Sequence, residues 1–222
     1  GGMSYSGGDI NGDGFSDVLF GDASGGFNPG ADTQEGVLAI YGKNFGTAVA
    51  NQQVGTSAAD TLSAIAGSTV ADVLMGGLGN DTLTGDGGAD VLNGGVGNDT
   101  MVVASAAFQR VDGGLGSDTL RFDFAGSIDL TAAGNSRIQG VETLNLGTGN
   151  QTLKLNLSDV LSMTDATAHS LKIDGTSGDV VQLVTGEGWT QGANAAGYTA
   201  WSATGVNAFT LYVQDNVSAA VL

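Results

Sequence analysis

Five aspartates sit at measured intervals in the middle of this 222-residue chain, each two residues ahead of an apolar side chain. Asp72, Asp81, Asp90 and Asp99 are nine residues apart, and Asp118 closes the series. Their apolar companions are Leu74, Leu83, Leu92, Met101 and Leu120. A glycine-rich turn leads into each aspartate: the units read GSTVADVLM, GGLGNDTLT, GDGGADVLN and GGVGNDTMV from Gly67, then GGLGSDTLR from Gly113. Carboxylates held in such turns, with no histidine or cysteine beside them, are hard oxygen ligands, and the chemistry open to them is cation binding.

Bringing these carboxylates together requires a coil. Each aspartate begins a short strand with one side chain turned inward, and the glycines let the backbone reverse tightly. Two units make one flattened coil of 18 residues, which stacks Asp72 near Asp90 and Asp81 near Asp99. Neighbouring strands lie ~4.8 Å apart, and carboxylates at that spacing repel by about 0.9 kcal/mol even in water. The stack opposes its own formation unless a divalent cation lies between its members. Ca²⁺ tolerates irregular oxygen geometry better than Mg²⁺. The expected ligands are the five aspartates together with turn carbonyls, those of Gly77, Gly79, Gly95 and Gly97. A plain Gly/Asp linker is the alternative, but a linker does not keep an apolar residue in phase over four consecutive units.

The units follow G-G-x-G-x-D-x-U-x and resemble the calcium-binding nonapeptide repeat of RTX proteins. The resemblance implies a parallel β-roll, a solenoid, over residues 67–126, with Ca²⁺ as its cofactor. Residues 51–66 read as a connector with one degenerate repeat, GTSAADTLS from Gly55. ASAAFQRVD is expected to loop out of one coil, and Phe122 and Phe124 to cap the end of the roll.

The first 50 residues carry a different pattern. Asp9-Ile-Asn11-Gly-Asp13-Gly-Phe15-Ser-Asp17 sets oxygen side chains at alternate positions, with glycine sixth. An EF-hand would have glutamate at the twelfth position and helices on either side; here the twelfth residue is Phe20, and the flanks are glycine-rich or strand-like. GGDINGDGFSDVLFGD followed by GVLAIYGK resembles instead the calcium loop of FG-GAP repeats in integrin-type β-propellers. That resemblance implies side-chain ligands from Asp9, Asn11, Asp13 and Asp17, a carbonyl ligand from Phe15, and a propeller-blade-like unit over residues 1–50. One blade cannot close a propeller, and the opening Gly-Gly suggests a piece of a longer protein.

Composition narrows the function. Six Lys and Arg stand against 23 Asp and Glu, a formal net charge of −17, which excludes electrostatic binding of nucleic acid and disfavours anionic membranes. With 39 glycines and one proline the chain is rich in turns without being collagen-like. There is no cysteine, so bound calcium takes the stapling role that disulfides fill elsewhere. No transmembrane segment is expected, since no apolar run approaches a spanning length, and GGMSYSGGDI lacks the basic and apolar regions of a signal peptide.

From Ser127 the glycine repeat stops while strand alternation continues, at Ile128 and Leu130, Leu144 and Leu146, and Leu153, Leu155 and Leu157. Ser158 is the expected N-cap of a short helix. Further strands are expected at 171–173, 180–184, 198–201 and 209–213. The succession VETLNL, LKLNLSDVLSM, LKIDGTSGDVVQL and LYVQDNV resembles the C-terminal region of large bacterial adhesins exported by type I secretion. The absence of Lys and Arg after Lys172 and the ending VSAAVL are similar to uncleaved export signals of that family. Residues 127–222 thus read as a β-rich C-terminal domain, a cap carrying the signal.

Nothing marks catalysis. Gly21-Asp-Ala-Ser24-Gly-Gly26 only faintly resembles a serine-protease motif, and the sole histidine, His169, has no signature around it. G-x-S-x-G, H-E-x-x-H and Walker patterns are missing. Trp189, Tyr198 and Trp201 read as core aromatics in preference to a sugar-stacking patch. The expectation is an all-β, non-enzymatic, calcium-binding end of a secreted RTX adhesin, extracellular or on the bacterial surface. Its expected partners are the type I secretion machinery and, through upstream domains, a host-surface, polysaccharide or biofilm ligand. The export tail of an RTX protease or lipase, and a surface-layer or filament subunit, are the rival readings.

Overall fold

The computed structural model describes residues 3–8, 17–21, 37–40, 49–131, 137–164, 170–203 and 209–222, the first three segments as backbone. It divides into two units, Gly1–Ala48 and Val49–Leu222. In the first, β1 (Met3–Gly8), β2 (Asp17–Gly21) and β3 (Val37–Ile40) form an antiparallel sheet in chain order. Asp9, Asn11, Asp13 and Phe15 of the expected calcium loop lie outside the described residues, as do Ser24 and His169. Asp17 opens β2, and only its backbone is described.

The second unit is a solenoid whose strands fall alternately on two faces. In chain order these are β4 (Val49–Val54), β5 (Thr61–Ser63), β6 (Ala71–Leu78), β7 (Thr82–Gly85), β8 (Val91–Val96), β9 (Thr100–Val103), β10 (Arg110–Leu115) and β11 (Thr119–Phe122). Even-numbered strands stack in parallel on one face and odd-numbered strands on the other. The apolar residue of each repeat points inward, so Leu74, Leu92 and Val111 form one column and Leu62, Leu83, Met101 and Leu120 the other. Except for the partly buried Leu62, every one of these side chains is inaccessible to solvent. Burial of each contributes roughly 1.5–3 kcal/mol.

The solenoid does not stop at Phe122. After β11 come β12 (Gly126–Asp129), β13 (Ile138–Gln139), β14 (Thr143–Asn145), β15 (Gln151–Leu155), helix α1 (Leu157–Met163), β16 (Ser170–Asp174), β17 (Val180–Leu183), β18 (Thr190–Ala195), β19 (Tyr198–Ser202), β20 (Thr210–Gln214) and β21 (Ser218–Val221). The second column runs on through Leu144, Ile173 and Val213, all in register. One nine-stranded sheet therefore runs through seven parallel strands, from β5 to β20, and ends on antiparallel β19 and β18. Its course crosses residues 66/67 and 126/127 without a break. The other face ends at β13, and a third parallel sheet, β12-β15-β17-β21, begins on Ile128, Leu153 and Val181.

Two expectations are corrected here. Phe122 and Phe124 pack edge to face at 6.1 Å, but Phe122 is wholly buried within the core and Leu120 pairs onward with Leu144, so the pair caps no end. The helix is capped two residues before Ser158: Asn156 accepts the Asp159 N–H at 2.7 Å while Asp159 accepts the Asn156 N–H at 3.0 Å, a complete capping box. The capping box draws Leu157 into the helix instead of the preceding strand. Trp189 and Trp201 are buried, as expected of core aromatics, whereas Tyr198 is only partly buried. Among the described residues no helix is long and apolar enough to cross a membrane.

Candidate metal centre

The five aspartates separate onto the two edges of the roll. Asp81, Asp99 and Asp118 precede the odd-numbered strands β7, β9 and β11; Asp72 and Asp90 lie on the opposite edge, at β6 and just before β8. All five side chains are at most 2% exposed. On the first edge each carboxylate uses Oδ1 to accept the backbone N–H of the acidic residue one coil earlier: Asp60 N–H to Asp81 at 2.8 Å, Asp81 to Asp99 at 2.7 Å, and Asp99 to Asp118 at 2.7 Å. On the second edge Asp90 accepts the Asp72 N–H at 2.9 Å.

The other oxygen has nothing. Oδ2 of Asp72, Asp81, Asp99 and Asp118, and Oδ1 of Asp72, are buried without any hydrogen-bond donor. A buried acceptor without a donor costs about 1–3 kcal/mol, and more if charged, so four such carboxylates on two edges need a positive partner. The glycines show where it belongs. At the position a side chain would occupy on Gly94, Asp99 Oδ2 and the Gly113 carbonyl oxygen converge. Gly76 has Asp81 Oδ2 and the Gly94 carbonyl there, and Gly113 has Asp118 Oδ2 and the Gly140 carbonyl. Acceptor oxygens facing one another with no donor between them fit a hard cation.

The carbonyls of Gly77, Gly79, Gly95 and Gly97 form two further columns on this edge. Gly77 and Gly79 lie so close beneath Gly95 and Gly97 that any side chain there would strike their oxygens. Gly95 and Gly97 also hold φ at +105° and +136°, which glycine alone adopts readily. Among the described residues no three His, Cys, Asp or Glu side chains gather as a metal cluster. Backbone oxygens must therefore complete any coordination shell, which again favours Ca²⁺.

Burial raises Asp90, Asp99 and Asp118. Asp90 is pushed up to about 6 by desolvation, reinforced by the Asp72 and Asp86 carboxylates and opposed by the Asp72 N–H. Asp118 is pushed up to about 7, again by burial first, with Asp99, Glu142 and Asp112 adding to the rise against the Asp99 N–H. Asp99 is raised for the same reason.

Sequence reasoning missed the ends of the ladder and its inner carbonyls. Asp60 is the first rung, and its Oδ2 accepts both the N–H and the hydroxyl of Thr56 at 2.5 and 2.8 Å. Glu142 is the last, accepting the Asp118 N–H at 2.8 Å. The signal for Glu142 was the phrase V-E-T-L, which repeats the D-T-L of the units with one more methylene. Gly94 and Gly113, whose carbonyls face the orphaned oxygens of Asp81 and Asp99, stand first in their repeats. On the second edge the ladder stops after Asp90, whose carbonyl oxygen accepts the Gln109 and Arg110 N–H groups. Arg137 lies over the Phe108 ring at 4.2 Å and donates to the Ala106 and Phe108 carbonyls there.

Residues 66–101 match the RTX calcium-binding nonapeptide repeat, in four copies. No curated protein and no solved structure matches the chain. RTX nonapeptide repeats bind Ca²⁺, and the orphaned carboxylates stand where these residues would hold it.

Proposed function

We propose that this chain is the non-catalytic, calcium-folding module of a secreted RTX adhesin, and that its C-terminal residues carry a type I export signal. The observation behind the first part is that the buried carboxylates of Asp72, Asp81, Asp99 and Asp118 each keep at least one oxygen without a donor. Ca²⁺ supplies the positive charge that such a run requires. The chain's own residues do the rest: Asp72, Asp81, Asp90, Asp99 and Asp118 present the carboxylates, and in the last four the N–H bond to Oδ1 fixes the direction in which Oδ2 points. The glycine turns exclude side chains from the site.

Extracellular calcium modules bind with Kd of roughly 10⁻⁴ to 10⁻³ M. At about tenfold excess over Kd, linkage contributes roughly 1.4 kcal/mol per site, and four sites about 6 kcal/mol, comparable with the whole stability of a small domain. In a cell, where free Ca²⁺ is far below such a Kd, that contribution is lost. The chain would remain unfolded for passage through an exporter and fold outside. Support for export comes from the resemblance of residues 127–222 to adhesin C-termini and from the uncharged ending VSAAVL. Two measurements test the reading. Circular dichroism should show β signal and a melting transition that depend on Ca²⁺; a melting point unchanged by chelation refutes calcium-driven folding. Substituting Asp81, Asp90 and Asp99 should slow secretion from a type I exporting strain, and unchanged secretion removes the export half alone.

A further inference from the structure

Four consecutive parallel strands of the nine-stranded sheet bring polar side chains into one row near their C-terminal ends. Arg121 of β11 is in register with Asn145 of β14 and Asp174 of β16, and Gln214 of β20 follows next to Asp174. Tyr198, opposite Gln214 on β19, ends the row. With Asp123 and the turns at 147–148 and 175–176, these residues line a cleft of about 610 Å³, within the ~300–1,000 Å³ of small-molecule sites. Its floor is bare because a side chain at Gly147 would run into the Phe122 carbonyl.

The row is half used and held in orientation. Asn145 Oδ1 accepts the Gly147 N–H at 2.8 Å and Gln214 Oε1 accepts the Gly175 N–H at 2.9 Å, which leaves both amide NH₂ groups as donors. Asp174 Oδ1 accepts the Tyr198 hydroxyl at 2.6 Å, leaving Oδ2 as an acceptor. Arg121 meets Asp123 at 3.4 Å, while its Nε has no partner. Lys172 lies on the Tyr198 ring at 4.7 Å, so one face of that ring is covered.

We propose that this cleft binds a neutral, linear saccharide laid along the solenoid axis. Donors from Arg121, Asn145 and Gln214 lie among acceptors from Asp123 and Asp174, and only a ligand rich in hydroxyls, which donate and accept at once, satisfies both kinds. An acidic ligand would face two carboxylates. A peptide adding a strand would need an open sheet edge, whereas this row lies across four paired strands. Rungs ~4.8 Å apart match the length of a pyranose unit in an extended glycan, so Arg121 to Gln214 spans about three sugars. Fixing the side chains in advance lowers the ordering cost of binding. The site uses none of the aspartates assigned to calcium, and it extends the reading above without depending on it.

The test uses the full chain in saturating Ca²⁺, with saturation-transfer NMR and calorimetry against neutral linear gluco-, manno- and galacto-oligosaccharides and a triuronate. At least one neutral oligosaccharide should bind at millimolar concentration or below. Arg121→Gln and Asp174→Asn should each weaken it about tenfold, the loss of one good hydrogen bond. Arg121 is half exposed, so Arg121→Gln should leave the melting point unchanged. No binding by any neutral member, binding of the triuronate alone, or equal binding by both variants would each overturn the proposal.

Discussion

The two halves of the solenoid treat a buried acid in opposite ways. In residues 49–122, Asp81, Asp99 and Asp118 give one oxygen to the preceding coil and leave the other without a donor. In residues 123–222, Asp179 is equally buried but spends both: Oδ1 accepts the Gln151 N–H at 2.8 Å, and Oδ2 accepts the N–H and hydroxyl of Thr176 at 2.6 and 3.1 Å. The same side chain at the same kind of turn is therefore self-sufficient in one half and incomplete in the other. A threonine three or four residues upstream makes the difference, since Thr56 performs this service for Asp60 at the first rung. The asparagine and glycines upstream of Asp81 and Asp99 offer no hydroxyl to those orphaned oxygens.

This contrast can be broken most forcefully by removing calcium. Amide hydrogen exchange on the whole chain should show the largest loss of protection in β6 to β11 after chelation, equivalent to about 6 kcal/mol if four sites empty. The loss should be smaller from β16 to β21. Equal loss across all coils would mean that the shared sheet couples the halves into one cooperative unit. The next largest effect separates two aspartates. Asp179→Ala strands the Gln151 and Thr176 donors and should cost about 2–4 kcal/mol with or without Ca²⁺. Asp99→Ala should cost about 2 kcal/mol in Ca²⁺, for one site and one N–H partner, yet be neutral or stabilising after chelation. Denaturant melts in both conditions read the difference, and matching behaviour of the two variants would dissolve the distinction.

Acidity sharpens the contrast further. Folded-state values of about 6 for Asp90 and about 7 for Asp118 lie above the ordinary carboxylate range, so without metal the folded chain binds more protons than the unfolded one through that window. Apo stability should then rise as pH falls from about 7 toward 4. With Ca²⁺ present protons compete for the same oxygens, and stability should fall over the same range. Thermal melts at a series of pH values should show opposite slopes. The smallest effect is local: Asn156→Ala removes the helix cap and should cost about 1 kcal/mol, independent of Ca²⁺.

How much could be seen in advance follows from these details. The coil and its inward columns were legible because Leu83, Met101 and Leu120 recur almost on the period, at 18 and 19 residues. Glu142 escaped because its coil is longer: Leu120 to Leu144 is 24 residues, and Leu144 to Ile173 is 29. Alternation revealed the later strands one by one, but nothing local says that Ile128 pairs with Leu153 and Leu153 with Val181. Asp60 was hidden because its turn, GTSAAD, has lost two of the three usual glycines and relies on Thr56. The cleft row was invisible for the same reason as the third sheet, since Arg121 and Gln214 are brought close only by register.

The commensurate coil also decides how this molecule can lengthen over evolutionary time. Tandem copying of eighteen residues from Gly76 through Asn93 would add a complete rung with every inward residue in phase and one more aspartate on each edge. Copying nine would exchange the two faces for everything downstream and place the long sheet's strands where β13 and α1 now lie. Genomic drift in the number of units should therefore proceed in pairs up to Phe122, and beyond it the irregular coils leave no block that can be duplicated without loss of phase.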